Sequence, residues 1–254
     1  MTESKYPSEI IDLPSKGWFY PEGHPLSSGK IDVFYMTAHH EDILTSRNLI
    51  QRGVVIDKLL EALIANPKVK YEDLLIGDKN ALMIASRILG YGKNYEINVA
   101  CPSCEKLSKT SINLEEINDK EVDFNEGQKG TNEFTFVLPI CGKTLKFKLL
   151  THGDEKSIDA ELAGYRKSGV EISKEVTTRM CKSIVAIDGD TDRKVVRDFV
   201  ETMPARDAKA FRDHARKVNP DIDLSFDFMC SVCGYQQRME VPIDFNFFWP
   251  NAVV

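Results

Sequence analysis

Two Cys-x-x-Cys pairs set the strongest constraint on how this chain can fold. The first ends the run Tyr95-Glu-Ile-Asn-Val-Ala-Cys101-Pro-Ser-Cys104, and the second ends the run Leu224-Ser-Phe-Asp-Phe-Met-Cys230-Ser-Val-Cys233, followed by Gly234. Each pair follows one strand-like run and precedes another, Leu107 to Leu114 after the first and Tyr235 to Val241 after the second. A hairpin whose tight turn presents two thiolates is a metal knuckle. Two knuckles supply the four sulfurs that structural zinc takes in a tetrahedral shell, at zinc–sulfur distances of roughly 2.3 Å. Pro102 fixes φ in the first turn, and Gly234 supplies the positive φ wanted just after a second cysteine. Glu105 stands at that place in the first pair, a departure from the commonest pattern.

The gap between the pairs, about 125 residues, far exceeds the roughly 15–20 of an ordinary zinc ribbon. One shared four-cysteine site on Cys101, Cys104, Cys230 and Cys233 therefore requires everything between the pairs to be an insertion whose ends return to one place. Zinc is the expected metal and iron the alternative, because four thiolates serve both. Separate redox dithiols would need a helix start in a βαβ context to lower a thiol pKa, and neither pair has one. Structural disulfides are disfavoured by the two-residue gap and by the lack of a secretory signal. Cys141, in the turn-like Pro139-Ile-Cys-Gly142, and Cys181, in an apolar stripe, are read as structural, with Cys141 a weak candidate for a spare ligand.

The 254 residues allow one domain with an insertion or two small domains. A net charge of -6 argues against general affinity for nucleic acid or for an anionic membrane. No apolar run approaches the roughly 20 residues needed to span a bilayer, and Met1-Thr-Glu-Ser-Lys-Tyr lacks a signal-peptide core. A cytoplasmic protein is expected.

Hydrophobic periodicity predicts an α+β fold, with a small antiparallel β zinc-knuckle (zinc-ribbon-like) module, N-terminal helices and an inserted helical bundle. Residues 1–30, rich in proline around Trp18-Phe19-Tyr20, read as an extended arm laid on this protein or on a partner. Residues 31–92 read as a strand, capped by Thr37 into helices, with His39 and His40 facing solvent. Residues 93–150 with 221–247 form the β-rich knuckle module, which includes an acidic linker from Glu115 to Glu133 expected to be mobile in part. Residues 151–220 read as four helices in a bundle, one of them carrying Met180, Ile184 and Ile187 on its stripe. Residues 248–254 are an apolar tail, and Phe245, Phe247, Phe248 and Trp249 present too much aromatic surface to leave wet.

No phosphate loop, nucleophile elbow or dinucleotide fingerprint is present. Gly90-Tyr-Gly-Lys93 precedes a strand where an anion site would want a helix start. His152-Gly-Asp154-Glu155 fits a helix cap better than an acid–base trio. A closed shell of four cysteines offers no open position for water, so no catalytic residue is assigned.

The stretches Ile11-Asp-Leu-Pro-Ser-Lys-Gly-Trp-Phe-Tyr20, His24-Pro-Leu-Ser-Ser-Gly-Lys-Ile-Asp-Val33 and Met36-Thr-Ala-His-His-Glu-Asp-Ile-Leu-Thr-Ser-Arg-Asn48, continuing through Val54-Val-Ile-Asp-Lys-Leu60, resemble the baseplate hub family of contractile-tailed, T-even-type bacteriophages. The resemblance implies a hub component or a hub assembly factor, made in the host cytoplasm, whose partners are other baseplate and tail proteins. Under that reading Trp18, Phe19 and Tyr20 and the tail from Phe245 to Trp249 are docking elements on a zinc-braced frame. The alternative is a zinc-ribbon nucleic-acid-binding accessory protein, with Tyr235 near Arg238 to stack bases. A redox enzyme would need a strongly depressed thiol pKa.

Overall fold

A computed structural model of the chain describes residues 7–169, 171–243 and 247–249. Two strands open it, Ser8–Asp12 (β1) and Lys30–Phe34 (β2), paired antiparallel from Ser8 opposite Phe34 to Asp12 opposite Lys30. Between them the chain reverses at Lys16 and Gly17, whose φ values are 50° and 73°. A Cβ on Gly17 would lie 2.4 Å from the Ser27 carbonyl oxygen, so the approach of the two backbones requires glycine. The described part of the arm expected over residues 1–30 is thus folded onto its own domain. Its prolines forbid a continuous helix, but Leu13, Phe19, Tyr20 and Leu26 are buried in the core.

Helices Ala38–Leu44 (α1), Arg47–Gln51 (α2), Val55–Leu63 (α3) and Ile76–Tyr91 (α4) follow. The predicted stripe of α3 is buried at Leu59, Leu60 and Leu63. Gly92, at φ 83°, ends α4. His40 departs from expectation: it is buried, and its Nδ1 accepts from the Thr37 N–H at 3.1 Å, so it belongs to the cap of α1.

The first knuckle hairpin pairs Asn94–Ala100 (β3) with Leu107–Asn113 (β4), and Tyr95, Ile97 and Val99 make its buried face. The acidic segment after it is laid down rather than loose. Phe124 sits 5.9 Å from the rings of both Trp18 and Phe19, and the Lys120 N–H donates to the Asp221 carbonyl at 2.7 Å.

The helical bundle expected over residues 151–220 is corrected to helices packed on a sheet. Phe134–Val137 (β5) and Thr144–Phe147 (β6) form the predicted hairpin, and Ile184–Ile187 (β7) joins β6 as a third antiparallel strand. The helix read through Ile187 stops early. His152–Lys167 (α5) and Glu175–Ser183 (α6) precede the strand, and α6 gives way at the run Ile184-Val-Ala-Ile187, where β-branched side chains favour pairing. Arg193–Thr202 (α7) and Ala205–Val218 (α8) complete the layer. The Thr151 and Asp154 side chains close a reciprocal cap on α5, so the His152-Gly-Asp-Glu155 motif is a helix start.

Ser225–Met229 (β8) and Gln236–Glu240 (β9) then form the second knuckle hairpin. The chain reaches it past the start of α4, where a Cβ on Gly77 would lie 1.9 Å from the Pro220 carbonyl oxygen and Asn80 donates to Asp221 at 3.0 Å. Among the described residues no helix is long and apolar enough to cross a membrane.

Candidate metal centre

The two hairpins meet at their turns. The sulfurs of Cys101, Cys104, Cys230 and Cys233 all lie within 4.8 Å of one another. Across the knuckles, Cys101 Sγ is 3.7 Å from Cys233 Sγ, and Cys104 Sγ is 3.8 Å from Cys230 Sγ. A tetrahedron of sulfurs at roughly 2.3 Å from a central zinc has edges of about 3.8 Å. The four predicted ligands therefore converge from sequence positions 126 residues apart to the spacing of one metal shell. Cys101 and Cys230 are buried, Cys104 is half-buried and Cys233 is exposed, so one side of the cluster opens to solvent.

The knuckles are built alike. In the first, the Cys101 N–H donates to the Lys106 carbonyl at 3.0 Å and the Glu105 N–H to the Cys101 carbonyl at 2.8 Å; in the second, the Cys230 N–H donates to Tyr235 at 2.8 Å and the Gly234 N–H to Cys230 at 3.0 Å. The Ser103 N–H points at Cys101 Sγ and the Val232 N–H at Cys230 Sγ, each at 3.4 Å. The departure noted at Glu105 is one of residue type and not of shape, since Glu105 has φ 59° where Gly234 has φ 72°. A further contact ties the turns together: Ser108 Oγ, buried, lies 3.0 Å from Ser231 Oγ and accepts from the Ser231 N–H at 3.1 Å.

The donor set suits a cation. The backbone N–H groups of Cys233 and Val232 bring the Cys230 thiol down to about 6. Although the Tyr235 N–H favours its thiolate, partial desolvation of the sulfur and its contacts with the Cys104, Cys230 and Cys101 thiols push Cys233 up to about 11. Four sulfurs this close resist ionising together, and a divalent ion among them removes that conflict. Cys141 and Cys181 stand apart. Cys141 is exposed in the β5–β6 turn, and burial raises the thiol of Cys181.

The aromatic residues expected to dock partners are placed inside this chain. Phe19 and Tyr20 are 2% and 6% exposed, and half-buried Trp18 donates from Nε1 to the Gly127 carbonyl at 3.3 Å. At the other end, Phe247 and Phe248 are buried, and Phe247 meets the Tyr95 ring edge-on at 5.1 Å, at the foot of the first knuckle hairpin. Trp249 packs half-buried on the same core, while Phe245 lies outside the described residues. Phe19, Tyr20, Phe247 and Phe248 thus pack in this chain's own core.

Two buried carboxylates escaped sequence reasoning. Asp78 in α4 accepts from the Tyr20 hydroxyl at 2.7 Å and the Ser15 N–H at 3.0 Å, and burial pushes its carboxyl up. Asp207 in α8 accepts from the Ile140 and Cys141 N–H groups at 2.8 and 3.1 Å. Burial opposes its charge, yet those two donors hold it below the usual carboxylate range. The only available signal was an acid in a first helical turn, which ordinarily reads as capping.

A family model described as T4 bacteriophage base plate protein matches residues 25–249. No curated protein and no solved structure matches the chain.

Proposed function

The chain belongs to the T4 bacteriophage base plate protein family, and from that premise we propose that it is a structural or assembly component of the baseplate hub of a contractile tail, braced by one zinc on Cys101, Cys104, Cys230 and Cys233. The convergence of four sulfurs within 4.8 Å carries the metal part of this reading. Binding at a structural zinc is worth roughly 10–16 kcal/mol in small peptides, as much as the roughly 5–15 kcal/mol net stability of a whole domain. One ion of that strength fixes the returning hairpin to the middle of the chain. A closed shell of four thiolates leaves no position for a reacting water, so the metal acts as a brace and the protein as a non-enzymatic part.

In this reading the protein is made in the host cytoplasm and meets other tail proteins there, either as a part of the baseplate or as a factor in its assembly. The nucleic-acid alternative is weaker. Arg238, the cation beside Tyr235, is engaged by Asp223 and Ser225 of its own chain, and the net charge is -6. Complementation tests the proposal. A phage lacking this chain is expected to stall with incomplete baseplates and to recover when the wild-type chain is supplied. Normal tails without it would overturn the reading.

A further inference from the structure

Between α6 and α8 lies a groove of about 370 Å³. Its floor is apolar, built from Ile76, Leu150, Met180 and Phe211, and Val176 at its edge is 48% exposed. Its rim is cationic. Lys148, Arg179, Arg212 and Arg216 line it against a single carboxylate, Glu175.

Lys148 is held by Asp154 at 2.6 Å and Arg179 by Glu175 at 3.3 Å, which leaves Arg212 and Arg216 as the rim cations open to a partner. Arg212 is exposed and takes part in no salt bridge or hydrogen bond among the described residues. Arg216 pairs with Asp213 at 3.4 Å, but both side chains are largely in water, where such a pair holds weakly and exchanges readily. Arg212 and Arg216 stand four apart on α8 and so share one face. The stretches Glu175–Ser183 of α6 and Phe211–Asn219 across α8 and its end supply much of the wall, about two helical turns or roughly 12 Å of length.

We propose that this groove is the docking site for an acidic, amphipathic segment of another baseplate protein. The partner's apolar side chains would cover the floor, and its carboxylates would meet Arg212 and Arg216. Two observations select that occupant. A floor of half-buried Ile76 and Leu150 over buried Met180 and Phe211, with half-exposed Val176 at its edge, rewards apolar anchors, which a phosphate backbone lacks. A positive rim on a chain of net charge -6 selects an acidic partner over a basic one or a second copy of the same face.

The test is site-specific photo-crosslinking in the full chain during phage growth. A benzoylphenylalanine replaces Val176 in one variant and Ala215 in another, with Val195 on α7 as a control outside the groove. Cross-linked peptides are then identified by mass spectrometry. Both groove positions are expected to join one segment of one baseplate protein, with carboxylates flanking apolar residues, and the control is not. That segment, made as a peptide, should bind the purified protein at least about tenfold more weakly when Arg212→Glu and Arg216→Glu are combined, and high salt should reduce the difference. Metal content and the thermal transition should be unchanged in that variant. Cross-links to residues 250–254 of this chain, to a second copy, to nucleic acid, to a basic segment or to nothing would overturn the proposal, as would undiminished peptide binding. The proposal rests on the baseplate reading, and the two fail differently. A chain that baseplate assembly needs but that cross-links elsewhere refutes the groove alone, whereas normal baseplates formed without the chain refute the reading beneath it.

Discussion

The N-terminal segment, residues 7–34, and the returning segment, residues 220–249, are both fastened to the middle of the chain, and the two fastenings differ in kind. The first buries Leu13, Phe19, Tyr20, Leu26, Ile31 and Val33, and adds the buried Asp78, Tyr20 and Ser15 contacts. The second buries Phe228 alone among the ten residues of β8 and β9, with Ile222, Val241, Phe247 and Phe248 buried on either side of that hairpin. Burying one such side chain contributes about 1.5–3 kcal/mol, while fixing each residue's backbone costs about 1–2 kcal/mol. The strands of the second hairpin bring little burial of their own, and the four sulfurs lie at its turn, where the proposed metal would add the second fastening.

The largest expected effect separates the two ends. With Cys230→Ser and Cys233→Ser combined, the amides of β8, β9 and residues 247–249 should lose hydrogen-exchange protection, whereas β1, β2 and α4 keep theirs. Loss of protection at β1 in the same variant would show the two fastenings to be one.

The converse substitution acts at the other end. Tyr20→Phe removes a hydroxyl that donates to Asp78 and accepts from the Leu75 N–H at 2.9 Å. Leaving those buried groups unpaired should cost about 2–3 kcal/mol in urea unfolding without changing metal content. A parallel loss of metal would contradict the comparison.

A smaller effect concerns the junction of α4 with α5. Burial works against the charge of Glu155, but His152, Lys79 and Arg179 hold its pKa at about 2 instead of 4.5. The folded value is depressed, so its contribution to stability is present above pH 4.5 and is lost as the pH falls toward 2. Glu155→Gln should lower the urea midpoint at pH 7, and the difference from wild type should shrink in that acid window. An unchanged difference would refute the linkage.

The smallest effect lies between the knuckles themselves. A non-glycine residue at positive φ costs about 1–2 kcal/mol, partly offset by the extra freedom of glycine in the unfolded chain. Glu105→Gly should therefore stabilise the protein by about 0.5–1 kcal/mol, and Gly234→Glu should destabilise it by a similar amount. Equal responses of the two sites in sign would mean that the turns are not equivalent.

The knuckles were legible because every signal needed was local: two-residue cysteine spacing, alternation in Tyr95, Ile97 and Val99, and a glycine after Cys233. The helix starts at Thr37 and at His152-Gly-Asp154-Glu155 were legible for the same reason. What escaped depended on distance in sequence. Ile184–Ile187 carries an apolar run that suits either a helix or a strand, and its pairing with β6, some forty residues earlier, decides. Asp78 looks like any acid in a first turn until Tyr20, 58 residues away, reaches it. The aromatic clusters at both ends were correctly read as needing cover, but composition does not say whose surface supplies it, and the folded chain covers Phe19 and Phe247 itself.

The central claim is that one metal on four sulfurs joins two distant hairpins. It is tested most directly by elemental analysis of the full chain purified without added metal, alongside its native mass. One zinc per chain, absent from the variant with Cys230→Ser and Cys233→Ser, is the predicted result. A metal-free wild-type chain that keeps the protection of β8 and β9, or zinc retained in that variant, would contradict it.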